Sequence, residues 1–87
     1  MNRKRRKKIG DIRRFLDSCS NDLTLIEEDE SASRDNMPES LQTSDAYCTS
    51  EDCSEKLDSA ISCIDQAIEF LDDIWDEVTI MHLGEIY

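Results

Sequence analysis

The sequence predicts an all-α protein: an antiparallel, coiled-coil-like helical hairpin that assembles into a four-helix bundle or a higher homo-oligomer. Three observations support this fold class. The 87 residues include only two glycines and one proline, so helix breakers are scarce. Apolar residues recur at alternating steps of four and three, which is the spacing of a helix packed along another helix. The resulting apolar stripe is wider than a contact between two helices requires.

The C-terminal helix is predicted over about residues 46–82, beginning after Ser44, Thr49 or Ser50 and stopping at Gly84. Its apolar seam is Cys53, Leu57, Ala60, Ile64, Ala67, Leu71, Ile74, Val78 and Met81. An adjacent row widens the stripe, and with Phe15 it gives the predicted oligomer interface: Phe15, Ile61, Ile68 and Trp75. A homodimer is the favoured assembly, because one hairpin would leave these side chains uncovered.

The N-terminal helix is predicted over about residues 3–35, with a loop over about 36–45 that contains Pro38. Its apolar seam is Ile9, Ile12, Leu16, Cys19, Leu23 and Ile26. Cations lie at its start and the acidic run Glu27–Glu30 lies near its end, and both oppose the helix dipole. An antiparallel hairpin would place Leu16 opposite Leu71 and the cations beside the acidic end of the second helix. Residues 1–87 are therefore expected to form a single helical domain with a short C-terminal tail.

The net charge of −11 is unevenly distributed along the chain. The first fourteen residues hold eight basic residues and one acidic residue, whereas the remaining seventy-three hold two basic and twenty acidic residues. No apolar run is long enough for a transmembrane helix or a signal peptide, so a cytoplasmic protein without a membrane partner is expected. The four cysteines form no CxxC pair and there is one histidine, which predicts reduced thiols and no metal site.

The sequence offers no catalytic centre. It contains no Ser/His/Asp or Cys/His constellation and no glycine-rich phosphate loop, and a helical hairpin offers no deep cleft. We therefore expect no enzymatic activity, no catalytic residue and no cofactor.

One candidate binding surface is an acidic face on the second helix. Its members are Glu51, Glu55, Asp58, Asp65, Glu69, Asp72 and Asp76. Four of them recur every seven residues, about 10.5 Å apart, and Lys56 is the one base between Thr49 and Met81. Such a face could imitate a phosphate backbone and occupy the basic groove of a nucleic-acid-handling protein. The alternative is an ordinary solvated helix face.

The alternative binding surface is the N-terminal basic cluster. Its candidate anion-binding residues are Arg3, Arg5, Arg6, Arg13 and Arg14. Clusters of this kind bind phosphates, so the chain could hold a nucleotide, a nucleic acid or, as a sponge, a signalling nucleotide. The negative net charge disfavours direct binding of nucleic acid. The simpler explanation is that these cations pair with the acidic end of the second helix.

Three parts of the sequence resemble one group of proteins. They are the opening residues 1–9, the loop Asn36-Met37-Pro38-Glu39-Ser40-Leu41-Gln42, and the acidic helix built on Ala60-Ile61 and Ala67-Ile68. The group comprises small acidic helical proteins carried by phages and mobile elements of Gram-positive anaerobes. The four cysteines and the serine-rich stretch depart from its typical members.

The resemblance implies a context but no established activity, and it assigns no functional residue. It favours an accessory protein that inhibits a host protein, such as a CRISPR effector nuclease, by occlusion or by nucleic-acid mimicry. A structural module within a larger phage assembly is the remaining possibility.

Overall fold

Two long helices form an antiparallel hairpin. The computed structural model describes the backbone of residues 1–81 and the side chains of residues 1–76. Helix α1 spans Arg3–Asp35, a 3₁₀ turn spans Glu39–Leu41, and helix α2 spans Asp45–Met81. The Cα atoms form a rod of 65 × 14 × 14 Å. The predicted all-α hairpin is confirmed, whereas the expected contacts of Val78 and of the tail lie outside the described residues.

Polar side chains mark the helix ends. The Asn2 side-chain oxygen accepts a hydrogen bond from the Arg5 amide at 2.9 Å, which caps the start of α1. Helix α1 ends at Asp35, and Pro38, three residues later, adopts an extended backbone with ψ of 145°. The Ser44 hydroxyl accepts from the Tyr47 amide at 3.3 Å, so α2 begins at the earliest of the predicted starts. In the described part of the chain, neither helix is long and apolar enough to cross a membrane.

On α2, the residues that face α1 differ in part from the predicted seam, of which Leu57, Ile64 and Leu71 are half-buried. Ile68 is 8% exposed and is the one buried apolar side chain among the described residues. Ile61, one heptad earlier, is half-buried, whereas the predicted seam residues Cys53 and Ala60 are exposed. The prediction that Cys53 and Ala60 face α1 is therefore wrong. The contact row of α2 is Ser54, Ile61, Ile68 and Trp75.

One of the rows of α1 that face α2 is polar, and it lies beside Ile9, Leu16 and Leu23 of the predicted seam, which are half-buried. This contact row recurs every seven residues and consists of Arg6, Arg13, Ser20, Glu27 and Arg34. Ile12 and Ile26, which were predicted to face α2, are each 53% exposed. Apolar periodicity identifies an apolar row, but it does not identify the helix that covers it. Here the polar row contacts α2, and the row of Ile12 and Ile26 points to one side of the hairpin.

Replacing Ile68 tests the contact between the helices. We expect Ile68→Ala to lower the free energy of unfolding by about 2–3 kcal/mol, because it removes buried methyl and methylene groups from a thin contact. Leu25→Ala is the matched control, since Leu25 is exposed, and should change stability by less than about 0.5 kcal/mol. Urea unfolding followed by circular dichroism measures both. Equal effects would mean that Ile68 does not lie in the core contact.

Candidate functional site

The acidic face is attached to α1 by two bridges. The Arg13 guanidinium donates two hydrogen bonds to the Asp72 carboxylate, at 2.8 Å from Nε and 3.3 Å from Nη2. One heptad further along α1, the Ser20 hydroxyl donates to Asp65 Oδ1 at 2.8 Å. Two residues of the predicted acidic face therefore bind the contact row of the neighbouring helix. The bridges also place the basic end of α1 beside the acidic end of α2.

A second polar cluster lies at the loop end of the hairpin. Arg34 Nη1 donates to the hydroxyls of Ser50 at 3.1 Å and Ser54 at 2.8 Å, and both serines are buried. Arg34 Nη2 donates to the Ser31 hydroxyl at 3.3 Å, and that hydroxyl donates to Glu27 Oε1 at 2.7 Å. Hydrogen-bonded hydroxyls of this kind can be buried at little cost. The cluster fixes the alignment of the two helices next to the loop.

These contacts shift the titration of their acids. The hydrogen bond from Arg13 lowers the pKa of Asp72, with burial opposing it and the positive charge of Arg13 adding to it. Hydrogen bonds from Ser31 and Ser54 lower the pKa of Glu27. The same bridge to Asp72 raises the pKa of Arg13. Both acids are thus held in the ionised form by the neighbouring side chains.

The other residues of the predicted acidic face are directed to solvent. Glu51, Glu55, Asp58, Glu69 and Asp76 are all exposed. Asp65 and Asp72 form the edge of the acidic face against α1. Across that edge, α1 adds the exposed Asp17, which lies close enough to Arg13 to raise its pKa further. Sequence reasoning missed Asp17 because it considered a single helix.

The basic end of the hairpin is partly engaged in intramolecular contacts. The Arg6 guanidinium lies over the Trp75 ring, 5.4 Å from its centroid, which is a cation–π contact. Arg14 pairs with Asp11 one turn away, and Arg13 binds Asp72. Arg3 and Arg5 are exposed. Three of the five predicted anion-binding arginines therefore already contact groups of this chain.

A shallow groove lies between the helices at this end. Its volume is about 260 Å³, and its lining residues are Ile9, Gly10, Arg13, Arg14, Leu71, Asp72 and Trp75. Ligand pockets are usually about 300–1,000 Å³ in volume, so this groove would hold only a small group. Trp75 offers a ring for stacking and Arg14 offers positive charge, but the Asp72 carboxylate opposes an anion.

The residues predicted to form the oligomer interface separate into two pairs. Ile68 and Ile61 pack within the hairpin and face α1. Phe15 is 60% exposed and Trp75 is 42% exposed, so their rings remain at the surface. The isoleucine pair therefore packs within one chain, whereas the aromatic pair is partly exposed and Trp75 also carries the Arg6 contact.

The thiols and carboxylates form no metal centre in the described part of the chain. Cys19, Cys48, Cys53 and Cys63 are all free thiols. Within residues 1–76, no group of histidine, cysteine, aspartate and glutamate side chains is arranged to hold a metal ion.

Comparisons with protein-family models, with curated proteins and with solved structures give no match. The two charged surfaces and the exposed apolar side chains of the hairpin are the features that bear on its function.

The bridge from Arg13 to Asp72 makes stability depend on pH. Because the pKa of Asp72 is lower in the folded state, the bridge stabilises the fold above the pKa that Asp72 has when unfolded. That contribution is lost as the pH falls through the folded pKa. We expect Asp72→Asn to lower the thermal midpoint at pH 7, with the difference from wild type shrinking in acid.

Asp73→Asn is the control for this measurement, because it removes the same charge from an exposed neighbour. It should leave the midpoint at pH 7 unchanged or slightly raised, since it relieves repulsion among the acids of α2. Equal destabilisation by both variants would show that the bridge has no specific role.

Proposed function

We propose that this chain acts by binding, as a phage or mobile-element accessory protein that inhibits a host protein. The proposed target is a nucleic-acid-handling protein of the host, such as a CRISPR effector or another antiviral nuclease. The acidic face would occupy the basic groove of the target and exclude its nucleic acid. The observation that carries the proposal is the exposure of this face along one continuous helix, with Lys56 as the only base between Thr49 and Met81.

The geometry of α2 supports nucleic-acid mimicry. A continuous helix holds its carboxylates at fixed intervals, with Glu51 and Asp58 about 10.5 Å apart along the axis. RNA-guided nucleases hold their nucleic acid in a positively charged channel and recognise it through its backbone. A two-helix rod with carboxylates along one face offers such a channel both a slender shape and a complementary charge.

Self-association is part of the same proposal. A four-helix bundle or a higher homo-oligomer would cover the apolar side chains that one hairpin leaves exposed, including Phe15. The acidic face would then be presented more than once by each assembly. We place the protein in the cytoplasm, where a host nuclease would be accessible to it.

Charge reversal on the acidic face tests the mechanism. In an assay of a CRISPR nuclease that the wild-type protein inhibits, we expect E51K/E55K/D58K to raise the half-inhibitory concentration at least about tenfold. The reason is that the variant replaces attraction to a basic groove by repulsion. DNA cleavage is measured against inhibitor concentration, and circular dichroism verifies that the helical signal is retained.

The matched control is D35K/E39K/D45K, which makes the same change in charge at the loop end and should inhibit as the wild type does. Undiminished inhibition by E51K/E55K/D58K would refute mimicry. Failure of the wild-type protein to inhibit any nuclease in a panel with basic channels would refute the proposed target class.

A second candidate function is the binding of a phosphate-bearing ligand at the basic end. The groove beside Trp75 favours it, because a base could stack on the indole while arginines hold the phosphates. In this reading the protein is an oligomeric phosphate-, nucleotide- or nucleic-acid-binding protein, including a sponge for a signalling nucleotide. The small groove and its Asp72 carboxylate make it the second choice.

Fluorescence of Trp75, the single tryptophan of the chain, tests the second candidate. If a nucleotide binds, titration should produce a saturable change that nucleosides lacking phosphate do not produce. Arg14→Gln should weaken that binding about tenfold, the size expected for one charged hydrogen bond. An unchanged wild-type signal would exclude the site.

Deletion of residues 1–8 separates the two candidates. Inhibition that survives the deletion favours the acidic face, and loss of inhibition with the assembly intact favours the basic end.

A further inference from the structure

One side of the hairpin is apolar along most of its length. The residue before each contact-row position points to the same side on both helices, because the helices are right-handed and run in opposite directions. This apolar flank consists of Ile12, Cys19 and Ile26 from α1 and Cys53, Ala60, Ala67 and Ile74 from α2. Each of these seven side chains is exposed or only half-buried. Arg13–Asp72 and Ser20–Asp65 lie on the opposite side.

The apolar flank continues into the edge of the contact between the helices. The adjoining apolar side chains are half-buried, and they are Ile9, Leu16, Leu23, Leu57, Ile64 and Leu71. Every seventh residue from 12 to 33 on α1, and from 46 to 74 on α2, is uncharged. In a chain with 31 charged residues among 87, two adjacent uncharged rows indicate a surface that another molecule covers.

We propose that a second copy of this chain covers the apolar flank in an antiparallel dimer, with α1 packed on α1 and the two-fold axis next to Cys19. This inference deepens the self-association in the proposed function by naming the face, the partner and the orientation. The apolar row of α1 runs from Ile12 to Ile26, so its midpoint is Cys19. Placing the axis there brings Ile12 of one copy against Ile26 of the other.

The charges of α1 determine this orientation. Residues 1–14 carry eight bases and one acid, whereas residues 27–30 are four consecutive acids. In the antiparallel dimer the run Glu27–Glu30 of one copy lies beside residues 8–11 of the other, next to the basic run Arg3–Lys8. Within one copy, the charges at the two ends of α1 interact unfavourably with the dipole of α1. In the dimer, the opposite charges of the partner's α1 lie beside them and compensate for this.

The other two-fold arrangement joins the same flanks with both loop ends at one end of the assembly. It would place the acids of the two loop regions together, where residues 27–52 of each copy hold nine acids and one base. It would also place both basic clusters together. Like charges at close range oppose association, so this arrangement is disfavoured.

Thiol cross-linking distinguishes the two orientations. Two single-cysteine proteins are needed: C48S/C53S/C63S, which retains Cys19, and A67C in a background where all four native cysteines are serine. Ala67 lies opposite Cys19 across the hairpin. A disulfide requires Cα atoms about 4.4–6.8 Å apart, so only thiols close to the axis should be oxidised to a dimer by diamide.

In the antiparallel dimer, each single-cysteine protein cross-links with its own kind. In the alternative arrangement, Cys19 faces position 67 of the partner. Neither single-cysteine protein then cross-links with its own kind, and only a mixture of the two proteins forms the disulfide. Cross-linking in the mixture alone would overturn the proposal, and so would a sedimentation mass of one chain for the wild-type protein at about 50 µM, a typical concentration for weak dimers.

A charge swap provides a measurement independent of cysteine chemistry. At low ionic strength we expect R5E/K8E and D29K/E30K each to weaken self-association about tenfold, and an equimolar mixture of them to restore it as a heterodimer. In the alternative arrangement each variant would associate more tightly, because each relieves repulsion. Tighter association of either variant, or no recovery in the mixture, would overturn the proposed orientation.

These outcomes are separable from those that test the proposed function. E51K/E55K/D58K alters the acidic face on the other side of the hairpin, so it should leave the dimer intact. If the wild-type protein forms the dimer but inhibits no nuclease, the proposed function is refuted and the interface is not. If it inhibits as a monomer, the interface is refuted and the function is not.

Discussion

The hairpin depends on the polar contact row of α1. The polar groups of this row interact with side chains of α2 or of α1 that lie next to the interface between the helices. Arg13 binds Asp72, Ser20 binds Asp65, and Arg34 binds Ser50 and Ser54. Each of these groups would be costly to place between two helices without its partner. A shift of one helix along the other would break several such contacts at once. The row therefore sets the register, while Ile68 and its half-buried neighbours supply the apolar contact.

A contact of this kind leaves a single hairpin with little core. Two helices alone cannot surround a layer of side chains, and Ile68 is the one buried apolar residue among those described. Small scaffolds with so little burial usually gain stability from an added element, such as oligomerisation. The apolar flank is the place where this chain offers one.

The two sides of the hairpin have complementary tasks in the proposed assembly. A dimer joined through the apolar flanks directs the acidic faces outward, on opposite sides of the bundle. Binding and self-association then use separate surfaces, and a target with two basic sites could gain from both copies. The charge pattern of α1 would define the orientation of the dimer, and the charge of α2 would define the partner.

The sequence by itself determined the two helices, the turn at Pro38 and the antiparallel hairpin, because helix propensity, capping and apolar periodicity are local properties of the chain. It also indicated which charges lie together, since the basic start and the acidic end of α2 become neighbours in any hairpin. The row Ile12–Ile26 was correctly identified as apolar, but Ile12 and Ile26 are exposed on one side of the hairpin and do not face α2.

Only the tertiary structure decided that α1 faces α2 with Arg13, Ser20 and Arg34. Periodicity reports that one face of a helix is apolar, whereas the choice of the covering helix depends on hydrogen bonds between distant residues. The heptad spacing of Arg6, Arg13, Ser20, Glu27 and Arg34 was visible in the sequence, but its meaning required the partners on α2. Polar rows are recognised as contacts only when their hydrogen-bond partners are seen.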